Sequence, residues 1–402
     1  MMKTYDLAVI GGGASGLICA IEHKSDYPDS SVVIFEKLNR VGKKILATGN
    51  GRCNITNLTA CPEDYNCPDF VSPTLERFSP QSNIDFFEKM GLITYCDSEN
   101  RVYPHSNTAS SVLDCLRFEC ERLKIDFLTD TAITDVKKSG SFIINNSISS
   151  KKVVLCTGGK SSSVHGSDGS GYDILRKLGH TIVKPSPSLV QICTDTTYTK
   201  QLKGLKVRGK ITLKENNNTL GESHGEILFA DYGISGIASL DLSMFIAREK
   251  KQKNLTVHID MAESLSLAAL TEYLNDTISR NPENKTENLL SCLLPSRIGQ
   301  VVLKKCGIPL NIDCAALSKQ EIFAVSTILK DFVLDVRGTK SFDMSQVTSG
   351  GADVSEFNKN TLESLKIKGL YCCGEILDVD SRCGGFNLQW AWSSGRLAGL
   401  CK

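Results

Sequence analysis

The chain has 402 residues, 41% of them hydrophobic, with 46 basic against 45 acidic side chains and a formal charge of +1. That length supports two or three domains with full-sized cores, and the balanced charge supplies no overall field to draw the molecule to nucleic acid or an anionic membrane. Residues 1–6 are too short and polar for a signal peptide, and no stretch reaches the roughly 18 apolar residues of a membrane span, so a soluble, cytoplasmic protein is expected.

Residues 5–10 read as a short buried strand that runs straight into Gly11-Gly12-Gly13-Ala14-Ser15-Gly16. Residues 14–24 then place Leu17, Ala20 and Ile21 on one helical face, and residues 31–35 form a second strand-like run ending at Glu36. Strand, glycine turn, helix, strand is the order of a dinucleotide cradle. Gly11 permits the tight turn, Gly13 lets the backbone approach a pyrophosphate, and Gly16 lets the helix sit against the strands. The helix start at Ala14 and Ser15 offers free N–H groups and partial positive charge to the phosphates. Glu36 is placed to accept hydrogen bonds from an adenosine ribose, and its charge disfavours a 2′-phosphate there.

The next segment is Gly42-Lys43-Lys44-Ile45-Leu46-Ala47-Thr48-Gly49-Asn50-Gly51-Arg52-Cys53-Asn54-Ile55-Thr56-Asn57. It lacks the order of a nucleotide P-loop. Its glycines alternate with polar residues, and a long flexible segment here suits a cofactor that runs on past its pyrophosphate. Lys37, Lys44, Gly51, Arg52, Cys53 and Asn54 are therefore cofactor-binding candidates. Helices are expected at 75–90 and 111–128, flanking Arg101-Val102-Tyr103-Pro104-His105-Ser106. Residues 152–156 read as a strand ending in Thr157-Gly158-Gly159, a second turn that returns the chain to the adenine side. Val136 is either a further contact there or an ordinary strand residue. Residues 166–171 form a loop into a helix at 172–178.

The composition changes after Pro185-Ser186-Pro187-Ser188. Strand-like runs follow, one at 205–213, divided by the turn Glu215-Asn216-Asn217-Asn218. Helical stretches are expected at 261–273, 286–294, 298–306 and 314–329, and strands at 332–337 and 346–351. Residues 369–374 form a strand running into a turn, and Gly385 opens a helix through Leu397 with Leu388, Ala391 and Trp392 on one face.

GGGASG, GKKILATGNGRCNITN, the run Gly374-Glu375-Ile376-Leu377-Asp378-Val379-Asp380 and the run from Cys383-Gly384-Gly385-Phe386-Asn387-Leu388 to Gly395 resemble, nearly end to end, one bacterial flavoprotein family. It is the BaiN/RdsA-like, or HI0933-like, family of NAD(P)/FAD-dependent oxidoreductases. The resemblance implies an α/β fold: a Rossmann-like FAD-binding domain at 1–188 and 330–402, interrupted by a β-barrel-like part at 189–258 and a helical part at 259–329. It implies FAD as cofactor, with Thr157, Gly158, Gly159, Gly374, Glu375, Gly385, Phe386, Asn387 and Leu388 near it. Asp378 would hold the ribityl chain or cap a loop. The N–H groups of the last helix would face the flavin pyrimidine edge, where negative charge gathers on reduction. No second complete glycine-turn unit is visible, so NAD(P)H would bind as a transient co-substrate or not at all.

A flavin enzyme leaves electron storage to its cofactor and uses side chains for orientation, electrostatics and proton delivery. Arg52 would stabilise the anionic reduced ring or a substrate carboxylate, or brace its own loop. Tyr103 and His105 flank a proline, and His105 can titrate near neutrality, so either is a proton carrier or a surface residue. Residues 225–236 resemble a family motif that reaches the cofactor from the insertion. Where the family commonly has Thr-His this chain has Ala230-Asp231, which changes the charge and usual pKa of the group; Tyr232 is a substitute donor. The 16 cysteines form no CxxC pair, and no metal site is expected. Cys53 and Cys383 are read as packing residues rather than redox thiols. The expected reaction is hydride exchange between flavin N5 and a small or mid-sized organic substrate. An oxygen-using amine oxidase and a non-enzymatic flavin sensor share the same cradle. No nucleic-acid or membrane partner is expected, and the oligomeric state is left open.

Overall fold

The structure is a computed structural model describing residues 3–216, 218–248 and 254–402. Asn217 of the expected Glu215-Asn216-Asn217-Asn218 turn, and residues 249–253 of the expected β-rich stretch, lie outside the described residues. Two units are distinguished: Met1–Pro187 with Phe342–Lys402, and Ser188–Ser341. Among the described residues no helix is long and apolar enough to cross a membrane.

The first unit is built on a sheet with strand order Asp126–Leu128, Val32–Phe35, Lys3–Ile10, Ile148–Leu155, Ser141–Ile144, Val136–Ser139. The first four run parallel, and the last two form an antiparallel hairpin on the edge. Leu370–Cys372 joins in parallel beside Val153, Val154 and Leu155. Parallel strands are covered on both faces, which is why residues 7–10 and 32–35 are continuous apolar runs rather than alternating ones. Helices Ala14–Asp26 and Phe386–Gly399 pack on one another, joining the two ends of the chain.

Three local expectations change in this unit. The helix expected at 75–90 is two helices, Pro68–Arg77 and Pro80–Lys89. Ser79 starts the second by accepting the Ser82 N–H at 3.3 Å, and Pro80, without an N–H, fits a first turn but not a helix interior. The helix expected at 111–128 is Ala109–Arg122, and residues 126–128 are the sheet's edge strand after Lys124 turns with a φ of +56°. The segment 42–57, expected to be long and flexible, is folded into the helix Lys43–Ala47, a tight turn at Thr48–Gly51 and the strand Thr56–Asn57, which pairs with Arg101–Pro104.

The second unit is a closed barrel with strand order Ile192–Thr194, Gly233–Ser235, Asn218–Ala230, Lys206–Glu215, Leu255–Asp260, Phe332–Thr339. Phe332–Thr339, expected to open the return of the FAD-binding domain at 330, is a barrel stave instead, and this unit runs to Ser341. Phe332 and Leu334 are buried in one core with Phe229, Val257 and Ile259. Helices Leu267–Arg280, Ser296–Lys305 and Lys319–Lys330 contribute Leu270, Val302 and Val325 to that same core, so the β-rich and helical parts are continuous.

A candidate cofactor site

The glycine turn is closed by backbone on two sides and open on a third. Gly11 has a φ of +111°, its N–H donates to the Phe35 carbonyl at 2.8 Å, and a Cβ there would lie 2.5 Å from the Cys156 carbonyl oxygen. At Gly16 a Cβ would strike the Gly11 carbonyl oxygen. At Gly13 it would meet nothing within 4 Å. Gly13 is the N-cap of helix Ala14–Asp26; no side chain caps it, and the first turn holds no acid. The free N–H groups and positive end of that helix therefore face open space, the geometry an anionic phosphate requires.

Glu36 is held beside the turn. Its Oε2 accepts the Gly12 N–H at 3.1 Å and its Oε1 the Leu38 N–H at 2.9 Å. A carboxylate has about four acceptor sites, so both oxygens retain capacity for ribose hydroxyls.

Distant segments converge on this turn. The Gly42 N–H donates to the Gly12 carbonyl at 2.8 Å, the Cys156 N–H to Ile10 at 2.8 Å, and the Cys373 N–H to Leu155 at 3.2 Å. Thr157-Gly158-Gly159 and Gly374-Glu375 thus emerge together at the carboxyl ends of parallel strands, where open α/β sheets bind ligands. Lys44 Nζ lies 2.7 Å from Glu375 Oε2, and Glu375 Oε1 accepts the Thr348 N–H at 2.8 Å. Helix Phe386–Gly399 ties down both loops: Trp392 Nε1 donates to Ile55 at 2.9 Å, Trp390 Nε1 to Gly374 at 3.2 Å, and the Thr56 hydroxyl to Gln389 Oε1 at 2.6 Å. Gly385 caps this helix with a φ of +104° and again no side-chain cap.

Three polar atoms around these segments, Asn54 Oδ1, Thr157 Oγ1 and the Tyr172 hydroxyl, are buried without a hydrogen-bond partner. Leaving each unmet costs about 1–3 kcal/mol, which a polar ligand reaching that atom would offset.

The remaining expected residues divide by surroundings. Arg52 is exposed, with its guanidinium 4.7 Å from the Tyr103 ring centroid. Cys53 is buried with a φ of +57°, and burial pushes its thiol up to about 12, away from a reactive thiolate. Gly51 has a φ of +82° and open space where a Cβ would stand. Lys37 pairs with Asp168 at 2.7 Å. Asp378 Oδ1 accepts the Gly350 N–H at 3.1 Å and the Asn66 amide at 3.2 Å, so it fastens two loops. Asn387 closes its own loop, accepting the Ser381 N–H at 3.0 Å and donating to the Ser381 carbonyl at 2.8 Å. Phe386 is buried under the Arg382 guanidinium, 4.5 Å from the ring centroid, and Leu388 packs on the core. Val136 is buried at the start of the hairpin. His105 is exposed on a turn, and its ring has no hydrogen-bond partner among the described residues.

In the second unit Asp231 is exposed and lies 2.6 Å from Lys203, whose ammonium holds its carboxyl below the usual range. Burial raises the Tyr232 phenol, and Lys340 Nζ stands 4.2 Å from its ring centroid. Sequence reasoning passed over Thr348, Tyr172 and Gln389. Thr348 carried a signal: it precedes Ser349-Gly350-Gly351, and its hydroxyl accepts the Lys160 and Ser161 N–H groups at 2.8 and 3.0 Å.

The Rossmann-type sheet, its open glycine cradle and the barrel insertion define a dinucleotide-binding flavoenzyme fold, the class of FAD-dependent oxidoreductases. Within it the chain belongs to the family described as HI0933-like protein Rossmann domain, which matches residues 5–401. It is 34% identical to the 3-dehydro-bile acid delta(4,6)-reductase of Clostridium scindens, over 98% of each chain. It is 29% identical to the ribosomal RNA dihydrouridine synthase of Escherichia coli, over 98% of this chain and 96% of the relative. Among solved structures it is similar to the open conformation of a flavocytochrome c3 fumarate reductase, with a TM-score of 0.51 and 14% identity over 99% of this chain and 78% of that one. The 3-ketosteroid delta1-dehydrogenase of Sterolibacterium denitrificans matches with a TM-score of 0.50 and 13% identity, over 99% of both. At those identities the structural likeness is one of fold. The expected exclusion of nucleic acid draws no support from these relatives, because a net charge near zero does not speak to local patches.

Proposed function

We propose that the chain is a reductase or dehydrogenase that exchanges hydride between bound FAD and a small or mid-sized organic substrate, with NAD(P)H as a transient donor. The convergence of the 11–16, 42–57 and 374–395 segments around unpartnered Asn54, Thr157 and Tyr172 atoms carries this reading. The relative named as a reductase supports reduction as the direction. When bound, FAD supplies hydride exchange at its N5.

The chain's own residues supply the rest. N–H groups at the start of helix Ala14–Asp26 would hold the pyrophosphate, and Glu36 would accept the ribose hydroxyls. The N-terminus of helix Phe386–Gly399 and the Arg52 guanidinium would supply positive charge to the flavin, with Tyr103 steadying Arg52 by cation–π attraction. Tyr232 is the candidate proton donor by residue type, since a phenol carries its proton at neutral pH. Asp231, held ionised by Lys203, contributes fixed negative charge rather than a proton. His105 draws no support as a proton carrier from its exposed, unpartnered ring.

Anaerobic mixing of the purified holo-protein with NADH and NADPH, followed at the flavin visible band, tests the reading. Rapid bleaching is expected. No bleaching, together with substrate-dependent hydrogen peroxide in air, would replace it with the amine oxidase. A polynucleotide substrate is the second reading, favoured by the full-length relatives named as ribosomal RNA dihydrouridine synthases.

A further inference from the structure

The barrel unit carries an open surface cleft that none of these roles uses, bordered by the exposed side chains of Lys200, Gln201, Arg297 and Lys304. It measures about 420 Å³ and is lined by Lys200, Gln201, Arg297, Gln300, Val301 and Lys304. Lys200 and Gln201 lie on the short turn Thr199–Leu202. Arg297, Gln300, Val301 and Lys304 recur at i, i+3, i+4 and i+7 of helix Ser296–Lys305, which places all four on one face. Val301 is buried and forms the floor, with Leu202 and Ile298 buried in the core of the same unit. The polar walls are therefore held by two elements whose apolar sides are packed away.

The charge in this cavity is uncompensated. No acidic side chain lines it, and its one internal link is Lys304 Nζ to Gln201 Oε1 at 3.5 Å. Lys200 and Arg297 have neither an ion pair nor a side-chain hydrogen bond among the described residues. Cations nearby in sequence are answered: Lys203 faces Asp231 at 2.6 Å, Lys206 faces Glu226 at 3.0 Å, and Lys210 faces Glu222 at 2.7 Å. Lys305, adjacent to Lys304, is spent on the Tyr198 and Phe332 rings at 4.6 and 5.0 Å.

Ammonium and guanidinium groups donate and never accept, so Lys200, Arg297 and Lys304 match a ligand made of acceptor oxygens with negative charge. Phosphate presents several such oxygens at once. Arginine grips two of them in parallel while lysine acts as a point charge, and the cavity holds both kinds of group. Its volume exceeds one phosphate group, so it has room for a phosphate carried on a larger body. We propose that the cavity is a phosphate-ester site, taking a phosphate of a nucleotide or of an RNA strand.

Binding rather than turnover tests it, so the result is separable from that of hydride transfer. The holo-protein is titrated with NADP+, which carries the phosphates but no hydride to give, and, separately, with a fluorescent single-stranded RNA oligonucleotide at several salt concentrations. The same titrations are run on Arg297→Gln/Lys304→Gln, on Lys200→Gln from the other element, and on Gln300→Glu, which adds a carboxylate without removing a cation. The expected result is binding weakened about 10-fold or more in the double variant and in Gln300→Glu, with flavin content and thermal midpoint unchanged. Loss for RNA comes with a salt slope lower by about 1.4, since each single-strand phosphate contact is worth about 0.7. Loss confined to NADP+ assigns the phosphate to a nucleotide, and loss confined to RNA assigns it to a strand. Should neither probe bind the parent protein, or both bind every variant as tightly as the parent, the proposal is overturned.

Discussion

The Lys44 ammonium lies 2.7 Å from the Glu375 carboxylate, across 331 positions of chain. Both side chains are largely shielded, at 26% and 21% exposure, and the same carboxylate receives the Thr348 N–H. One ion pair therefore ties the segment after the first glycine turn to the turn after the last strand. Glu375→Gln is expected to cost about 1–3 kcal/mol and to lower FAD content, because it weakens two charge-assisted hydrogen bonds at once. Denaturant curves for Lys44→Gln, Glu375→Gln and the double variant check it. Costs that simply add would show that the pair is not coupled.

The glycines of the first turn separate folding from cofactor binding. Gly11→Ala combines a φ of +111° with a Cβ 2.5 Å from a backbone oxygen, so a loss of about 2–4 kcal/mol is expected. Gly13→Ala has room for its methyl, and that room is where the cradle needs the phosphate to approach. The apo-protein of Gly13→Ala should melt near the parent while its FAD affinity falls about 10-fold or more. Calorimetry and an FAD titration distinguish the two, and full FAD affinity in Gly13→Ala would remove the turn from the pyrophosphate site.

Stability is expected to fall on mild acidification. His23 is buried between the Gly399 carbonyl at 2.8 Å and the Ser30 hydroxyl at 3.0 Å; His180 lies between Glu356 at 2.9 Å and the Ser364 hydroxyl at 3.0 Å. Burial lowers both from the ordinary histidine value of 6.5. The unfolded chain then takes up protons that the folded chain refuses, so the stabilisation is full above about pH 6.5 and is lost as the pH falls from there towards the folded pKa. The slope is at most about 1.4 kcal/mol per pH unit for each histidine. Urea midpoints between about pH 7.5 and 5.5 measure it, and His180→Gln should flatten the dependence.

Proton donation by Tyr232, as proposed, has its own signature. Tyr232→Phe is expected to slow substrate turnover about 100-fold while leaving flavin reduction by the nicotinamide donor unchanged. Asp231→Asn should leave the limbs of the pH–rate profile near neutrality in place, because the Lys203 ion pair keeps that carboxylate charged throughout the range. Stopped-flow traces of the two half-reactions separate these effects. An unaltered rate in Tyr232→Phe would end its candidacy.

Some of this architecture was legible residue by residue. The strand at 3–10, the Gly11 to Gly16 turn, the helix from Ala14 and the strand at 32–35 follow from apolar runs, glycines and helical spacing that act within a turn or two of chain. The break at Ser79-Pro80 is also written locally, as an N-cap followed by proline. The stave Phe332–Thr339 was recognisable as a strand, yet alternating side chains look alike in a barrel and in an open sheet. Its partners assigned it.

The sequence by itself therefore determined the local conformations and the chemical types at the cradle: glycines where the backbone must turn, an acid after the second strand, apolar faces for the core. Only the tertiary structure decided which distant groups meet. Lys44 finds Glu375, Trp392 finds the Ile55 carbonyl, and Asn54 keeps a buried oxygen without a partner. Backbone preference is set by immediate neighbours, whereas pairing across hundreds of residues depends on burying apolar surface and satisfying hydrogen bonds over the whole chain at once.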